Sequence, residues 1–154
     1  MSYYVLAFLI GVVAGLRALT PVAAVSWAAR LGRLHLENTW PAFLGYAATP
    51  YIISLLAIFE LVNDKLPKTP SRKTPPQFIA RIITGALSGA ALGAAGQALI
   101  GGLLLGAVGA VAGTLAGSEL RARLAKAFRG KDLPAALIED AIAIIGAVIL
   151  VCQF

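Results

Sequence analysis

The sequence predicts an all-α polytopic membrane protein of about five transmembrane helices, and three observations carry that expectation. Of its 154 residues, 59% are hydrophobic and only 13% charged, whereas roughly a quarter of the residues of a soluble domain are charged. The apolar residues fall in runs near the ~20 residues that cross a hydrocarbon core. These runs are rich in Ala, Gly and Leu and lack the strict alternation of barrel strands.

The first run covers about residues 3–29 and contains Arg17, Thr20 and Pro21. At about 1.5 Å per residue it is longer than a bilayer core, so it must tilt, kink or break. Pro21 lacks an amide hydrogen and crowds the carbonyl of Arg17, which places the expected helix break at Arg17, Thr20 and Pro21. The second span covers about 40–62, with Pro41 at its start and Pro50 inside it. A basic linker, 65–77, precedes the third span at about 78–95. The fourth span covers about 98–118, after which ELRARLAKAF continues as an amphipathic, interfacial helix. The fifth covers about 134–154, with Pro134 suited to its first turn. Residues 1–154 then form a single transmembrane domain. The N-terminus lacks the basic region of a secretory signal and is expected to be a retained first helix.

The formal charge is +6, and its placement indicates the partner. Lys65, Lys68, Arg72 and Lys73 form one cluster; Arg121, Arg123, Lys126, Arg129 and Lys131 form another. Both flank apolar runs, the pattern of topology signals and anionic-lipid contact. No aromatic or glycine pattern of an RNA module accompanies them, so membrane lipids rather than nucleic acid are the expected partner. With five spans both clusters share a side, and the positive-inside rule puts the N-terminus in the cytoplasm and the C-terminus outside. A re-entrant first segment would change that parity. Cys152 is the single cysteine and His35 the single histidine. Zinc, haem and iron–sulfur ligation therefore lack donors, and no cofactor is expected.

Glycines recur every four residues: Gly85, Gly89 and Gly93 in the third span, Gly109, Gly113 and Gly117 in the fourth, and Gly11 and Gly15 in the first. Such rows allow helices to approach closely in lipid. Tight packing, a sliding face and a dimer contact all remain open from this pattern. GVVAGLRALTPVAAVSWAARLGR from Gly11 also aligns without gaps on GAVAGTLAGSELRARLAKAFRGK from Gly109, with Pro21 opposite Glu119. Each copy precedes a span with a carboxylate, Glu60 or Glu139, which is the form of an inverted-topology repeat of spans 1–2 and 4–5. Ala/Gly-rich segments also match by chance, and both explanations stand.

Ionisable side chains within spans mark functional sites or buried pairs. The candidate substrate- or ion-binding residues are Arg17, Glu60, Asp64, Arg81, Glu119, Glu139 and Asp140. Arg17 lies deepest and needs a counter-charge, for which Glu60, Glu119 and Glu139 are the candidates, or a substrate anion; the others lie toward the basic side. Asp64 and Asp140 also read as plain interfacial or first-turn residues. Carboxylates without Cys or His suit protons or hard cations, without selecting among them. No nucleophile elbow, HExxH or phosphate-cradling loop is present, so an enzyme is not expected.

At GLRALTPVAAVSWAARLG, ELVNDKLPKTPSRKTPPQFIARIITGALSGAALG and IEDAIAIIGAVILV, the chain resembles small bacterial integral membrane proteins of a family known as a domain of unknown function, DUF4126. The resemblance covers nearly the whole chain and implies a multi-pass protein of the bacterial inner membrane, without implying a chemistry. Glu60-Leu61-Val62-Asn63-Asp64-Lys65 is also similar to the E-x-G-D-K-[ST] motif of cation/proton exchangers of the lysine-exporter superfamily. It has one residue more, lacks the glycine and is followed by Leu66. The leading expectation is a small transporter or channel-like protein for an ion or small solute, acting as a homodimer because five short spans make little wall for a path. The alternatives are a non-catalytic membrane scaffold or lipid-organising protein, and a lipid-processing enzyme built on Arg17 and the acidic residues.

Overall fold

The computed structural model describes residues 2–66 and 71–154, and these are helical with no strand among them. Six α-helices follow in order: α1 Tyr3–Leu16, α2 Leu19–Arg30, α3 Thr49–Asn63, α4 Pro75–Ala95, α5 Leu99–Ala127 and α6 Asp132–Val151. A 3-10 helix, Trp40–Gly45, precedes α3. Lys68 of the basic linker lies outside the described residues.

Three helices, α4, α5 and α6, are long and apolar enough to cross a membrane, where five spans were expected. The difference lies in the first two runs. The first divides at Arg17, whose extended backbone (φ −140°, ψ 116°) ends α1 after 14 residues. Pro21 is the third residue of α2, where its missing amide hydrogen breaks no intrahelical bond. The second run likewise divides before Pro50, which sits in the first turn of α3 rather than inside a long span. At about 1.5 Å per residue α1, α2 and α3 measure about 21, 18 and 22 Å, each short of the ~30 Å hydrocarbon core.

The break reverses the chain. Tyr3, at the start of α1, packs on Phe154, and a side chain at Gly96 would meet the Tyr3 ring, so this end of α1 lies with the C-terminal ends of α4 and α6. Trp27, late in α2, donates its indole N–H to Ser54 Oγ at 2.9 Å and packs edge-on against Tyr51, both early in α3. Val13 of α1 lies against Gly146, and α2 shares a groove with Ile144, Ala147 and Val148. Both arms therefore run back from Arg17 along the same stretch of α6. The first run is a helical hairpin whose tip is Arg17 and Ala18.

This hairpin changes the parity of the chain. Both termini lie at one end, and the described linker residues 64–66 and 71–74 lie with the 128–131 loop at the other. The N-terminus and the basic residues, expected on one side from five spans, lie at opposite ends of the structure.

Helix α5 is the central element, packed on α1 along one side and α4 along another. A Cβ on Gly89 would stand 2.7 Å from Gly106 Cα, one on Gly102 2.8 Å from Gly93 Cα, and one on Gly109 3.1 Å from Gly11 Cα. Gly85 faces Ala110, and Gly113 faces the Val12 backbone. Gly15 would place a Cβ 2.5 Å from Gly113 C. These backbones touch within one chain, and van der Waals contact of this kind drives helix association where lipid removes the hydrophobic difference. Helix α5 is unbroken through the stretch that aligns with Arg17–Pro21, so the two segments of the sequence alignment differ in shape.

Candidate functional site at the hairpin tip

A helix interrupted in a protein interior leaves carbonyls at one cut end and amides at the other. Both are met here by charged side chains of the favourable sign. Arg81 Nη1, from α4, donates to the carbonyls of Gly15 (2.9 Å) and Leu16 (2.7 Å) at the C-terminus of α1. Glu60, from α3, accepts the backbone N–H groups of Ala18 and Leu19, each at 2.8 Å, at the N-terminus of α2. A cation thus meets the negative end of one helix dipole and an anion the positive end of the next.

Between the caps, Arg17 is fully buried and points into α6. Its Nε donates to Asp140 Oδ1 at 2.5 Å. Its Nη1 lies 2.8 Å from Asp64 Oδ2 and its Nη2 3.8 Å from Glu139 Oε2; these are ion pairs without hydrogen-bond alignment, so both nitrogens lack a hydrogen-bond acceptor. Further cations surround the carboxylates. Lys65 pairs with Asp140. Arg72 forms a bidentate pair with Glu139, Nη1 to Oε1 and Nη2 to Oε2. Arg121 reaches Asp64 Oδ2 at 2.6 Å, Asp132 Oδ2 at 2.6 Å and Glu139 Oε2 at 3.4 Å.

The result is a lattice of four cations, Arg17, Lys65, Arg72 and Arg121, on four carboxylates, Asp64, Asp132, Glu139 and Asp140. Glu139, only 1% exposed, has three guanidiniums around it. Burial alone would raise the Asp64 carboxyl, but Arg121 and Arg17 hold it below the ordinary carboxylate range. Gly117 leaves room for the lattice: a Cβ there would lie 3.2 Å from Arg72 Nη1 and 3.4 Å from Glu139 Oε1. One side opens on a cleft of about 610 Å³ lined by Asp64, Lys65, Ser71, Arg72, Arg121 and Asp132 among others. Among the described residues no group of His, Cys, Asp and Glu is arranged to hold a metal ion.

Several expected roles change. Arg17 stands level with the acidic residues rather than apart from them. Its counter-charges are Asp140 and Asp64 first and Glu139 at longer range. Glu60 caps a helix instead of pairing with Arg17, and Glu119 is exposed and pairs with Arg123 at 2.8 Å, outside the lattice. Asp64 and Asp140 are lattice members rather than plain interfacial residues. Thr20 is buried in the first turn of α2, with no partner for its hydroxyl. Arg72, Arg121, Lys65 and Asp132 were not among the expected site residues, because the basic loops read as topology signals. One feature of the sequence points to them: six of the seven acidic residues flank the same ends of the apolar runs as the basic clusters.

Fold and site together define an all-helical protein with membrane-span-like helices, a folded-back first segment and a buried charge lattice at its tip. Residues 4–153 match the family model described as a domain of unknown function (DUF4126), and the chain belongs to that family. No curated protein and no solved structure matches it.

Proposed function

We propose that this protein is a small membrane transporter or channel-like protein for an ion or small solute, gated by the charge lattice at the hairpin tip. The observation that supports this most is the convergence of a broken helix, a fully buried Arg17 and three carboxylates beside an open cleft. Transporters place the cut ends of discontinuous helices at their substrate sites. Stability alone does not call for such a site, because buried ion pairs are often matched or bettered by apolar packing. In this closed arrangement Glu60 and Arg81 occupy the cut ends, and the lattice seals the cleft from the hairpin core.

The positive-inside rule puts the basic end in the cytoplasm and, with the hairpin parity, both termini outside. A homodimer belongs to the proposal, since three full-length helices give one copy little wall around a path. Flux into proteoliposomes tests the reading, with a pH dye for protons and labelled sodium and methylguanidinium as solutes. Wild-type protein moves at least one of them, and Glu139→Gln abolishes the movement. Flux that is unchanged in both Glu139→Gln and Arg17→Gln overturns the gate.

The scaffold reading has one observation of its own. Helix α5, about 44 Å long, outruns a ~30 Å core; its extension exposes Arg123 and Lys126, and the turn after it exposes Arg129. Anionic lipid headgroups suit that surface. Absence of flux for every solute, together with retention on anionic but not neutral vesicles, would favour this reading.

A further inference from the structure

Arg72 differs from every other cation of the lattice. Arg17 and Arg121 extend from the hairpin tip and from α5, and Lys65 from the turn directly after α3, whereas Arg72 comes from the far end of the linker, just before α4. Its neighbours Ser71 and Lys73 are exposed, yet Arg72 itself is 8% exposed. Between two exposed neighbours, this one side chain is inserted into the protein, onto a carboxylate that is 1% exposed, beside the cleft.

We propose that Arg72 is a tethered plug in a cation site at Glu139, and that the ligand of this site is a small organic cation carrying a guanidinium group. The proposal rests on the transport reading above and names its substrate class. Charge requires a cation: without Arg72 the lattice holds three cations on four carboxylates, an excess negative charge in a buried place. Geometry selects its shape, because two parallel N–H donors meeting both oxygens of one carboxylate is the fit of a planar guanidinium, not of a spherical ion or an ammonium. Gly117 supplies the space in which that plane lies. Access comes through the cleft, whose wall Arg72 forms.

Chemical rescue tests the site. Thermal unfolding of Arg72→Ala in detergent is followed with increasing methylguanidinium chloride, against sodium chloride at equal ionic strength. The variant unfolds below wild type, and methylguanidinium at about ten times its Kd raises its Tm by about 4 °C. Sodium does not reproduce the rise, and Arg72→Ala combined with Glu139→Gln abolishes it. Equal effects of the two salts on Arg72→Ala overturn the proposal.

Should Arg72→Ala fail to fold, wild-type protein gives a second readout through an arginine-specific protease. Methylguanidinium accelerates cleavage after Arg72 if the plug is displaced, and an unchanged rate refutes it. Rescue without flux in proteoliposomes keeps the cation site and removes only the transport reading.

Discussion

Replacing Arg17 by Gln perturbs the lattice at its most buried point. Arg17 is 0% exposed and faces Asp140 at 2.5 Å, Asp64 at 2.8 Å and Glu139 at 3.8 Å. Gln keeps hydrogen-bonding capacity but removes the charge, leaving three cations for four carboxylates. Removing one partner of a buried pair costs about 3–5 kcal/mol, mostly because the remaining charge has no substitute for water. For a chain of this length that corresponds to a fall in Tm of about 10 °C. Adding Asp140→Asn restores the charge count and recovers part of the loss, since residues in direct contact couple by about 0.5–3 kcal/mol. The assay is thermal unfolding of both single variants and the double variant in one detergent. Arg17→Gln within about 1 kcal/mol of wild type, or a double variant as unstable as the summed singles, would refute a dry, charge-balanced lattice.

Three further outcomes are expected. Gly106→Ala puts a Cβ 2.9 Å from Gly89 Cα with only backbone around it; it destabilises by about 1–3 kcal/mol, whereas Gly45→Ala, whose nearest neighbour is a side-chain methyl at 3.4 Å, does so by less in the same unfolding assay. Cys152 is exposed at the end opposite the basic loops, so an impermeant maleimide labels it from outside intact cells; labelling only after permeabilisation contradicts the proposed orientation. Asp64 is held below its ordinary range. Its contribution is therefore complete above the unfolded value near 4 and is lost as pH falls through the lower folded value. Below about pH 4, Asp64→Asn loses less stability than wild type, and parallel acid limbs for the two proteins would show that Asp64 is not paired.

Composition and run length determined that this chain is helical and carries helices long and apolar enough to cross a membrane, because 59% of its residues are hydrophobic and they fall in runs of about that length. The break near Arg17 was equally legible, since proline removes a donor and crowds a carbonyl at a known offset. Its consequence was not. Whether a broken run bends or doubles back depends on which groups meet the two cut ends, and those groups, Glu60 and Arg81, lie 41 to 66 residues away in the sequence. The same holds for the lattice. Sequence marks Arg17 and Glu139 as expensive in hydrocarbon but does not say which charges lie within 4 Å of them, and Coulomb energy depends on that distance. Arg72 and Arg121 therefore read as loop charges until the fold set them on Glu139. Local chemistry decided where the chain must break and which ions need partners; tertiary packing alone chose the partners and, through the hairpin, placed both ends of the chain together.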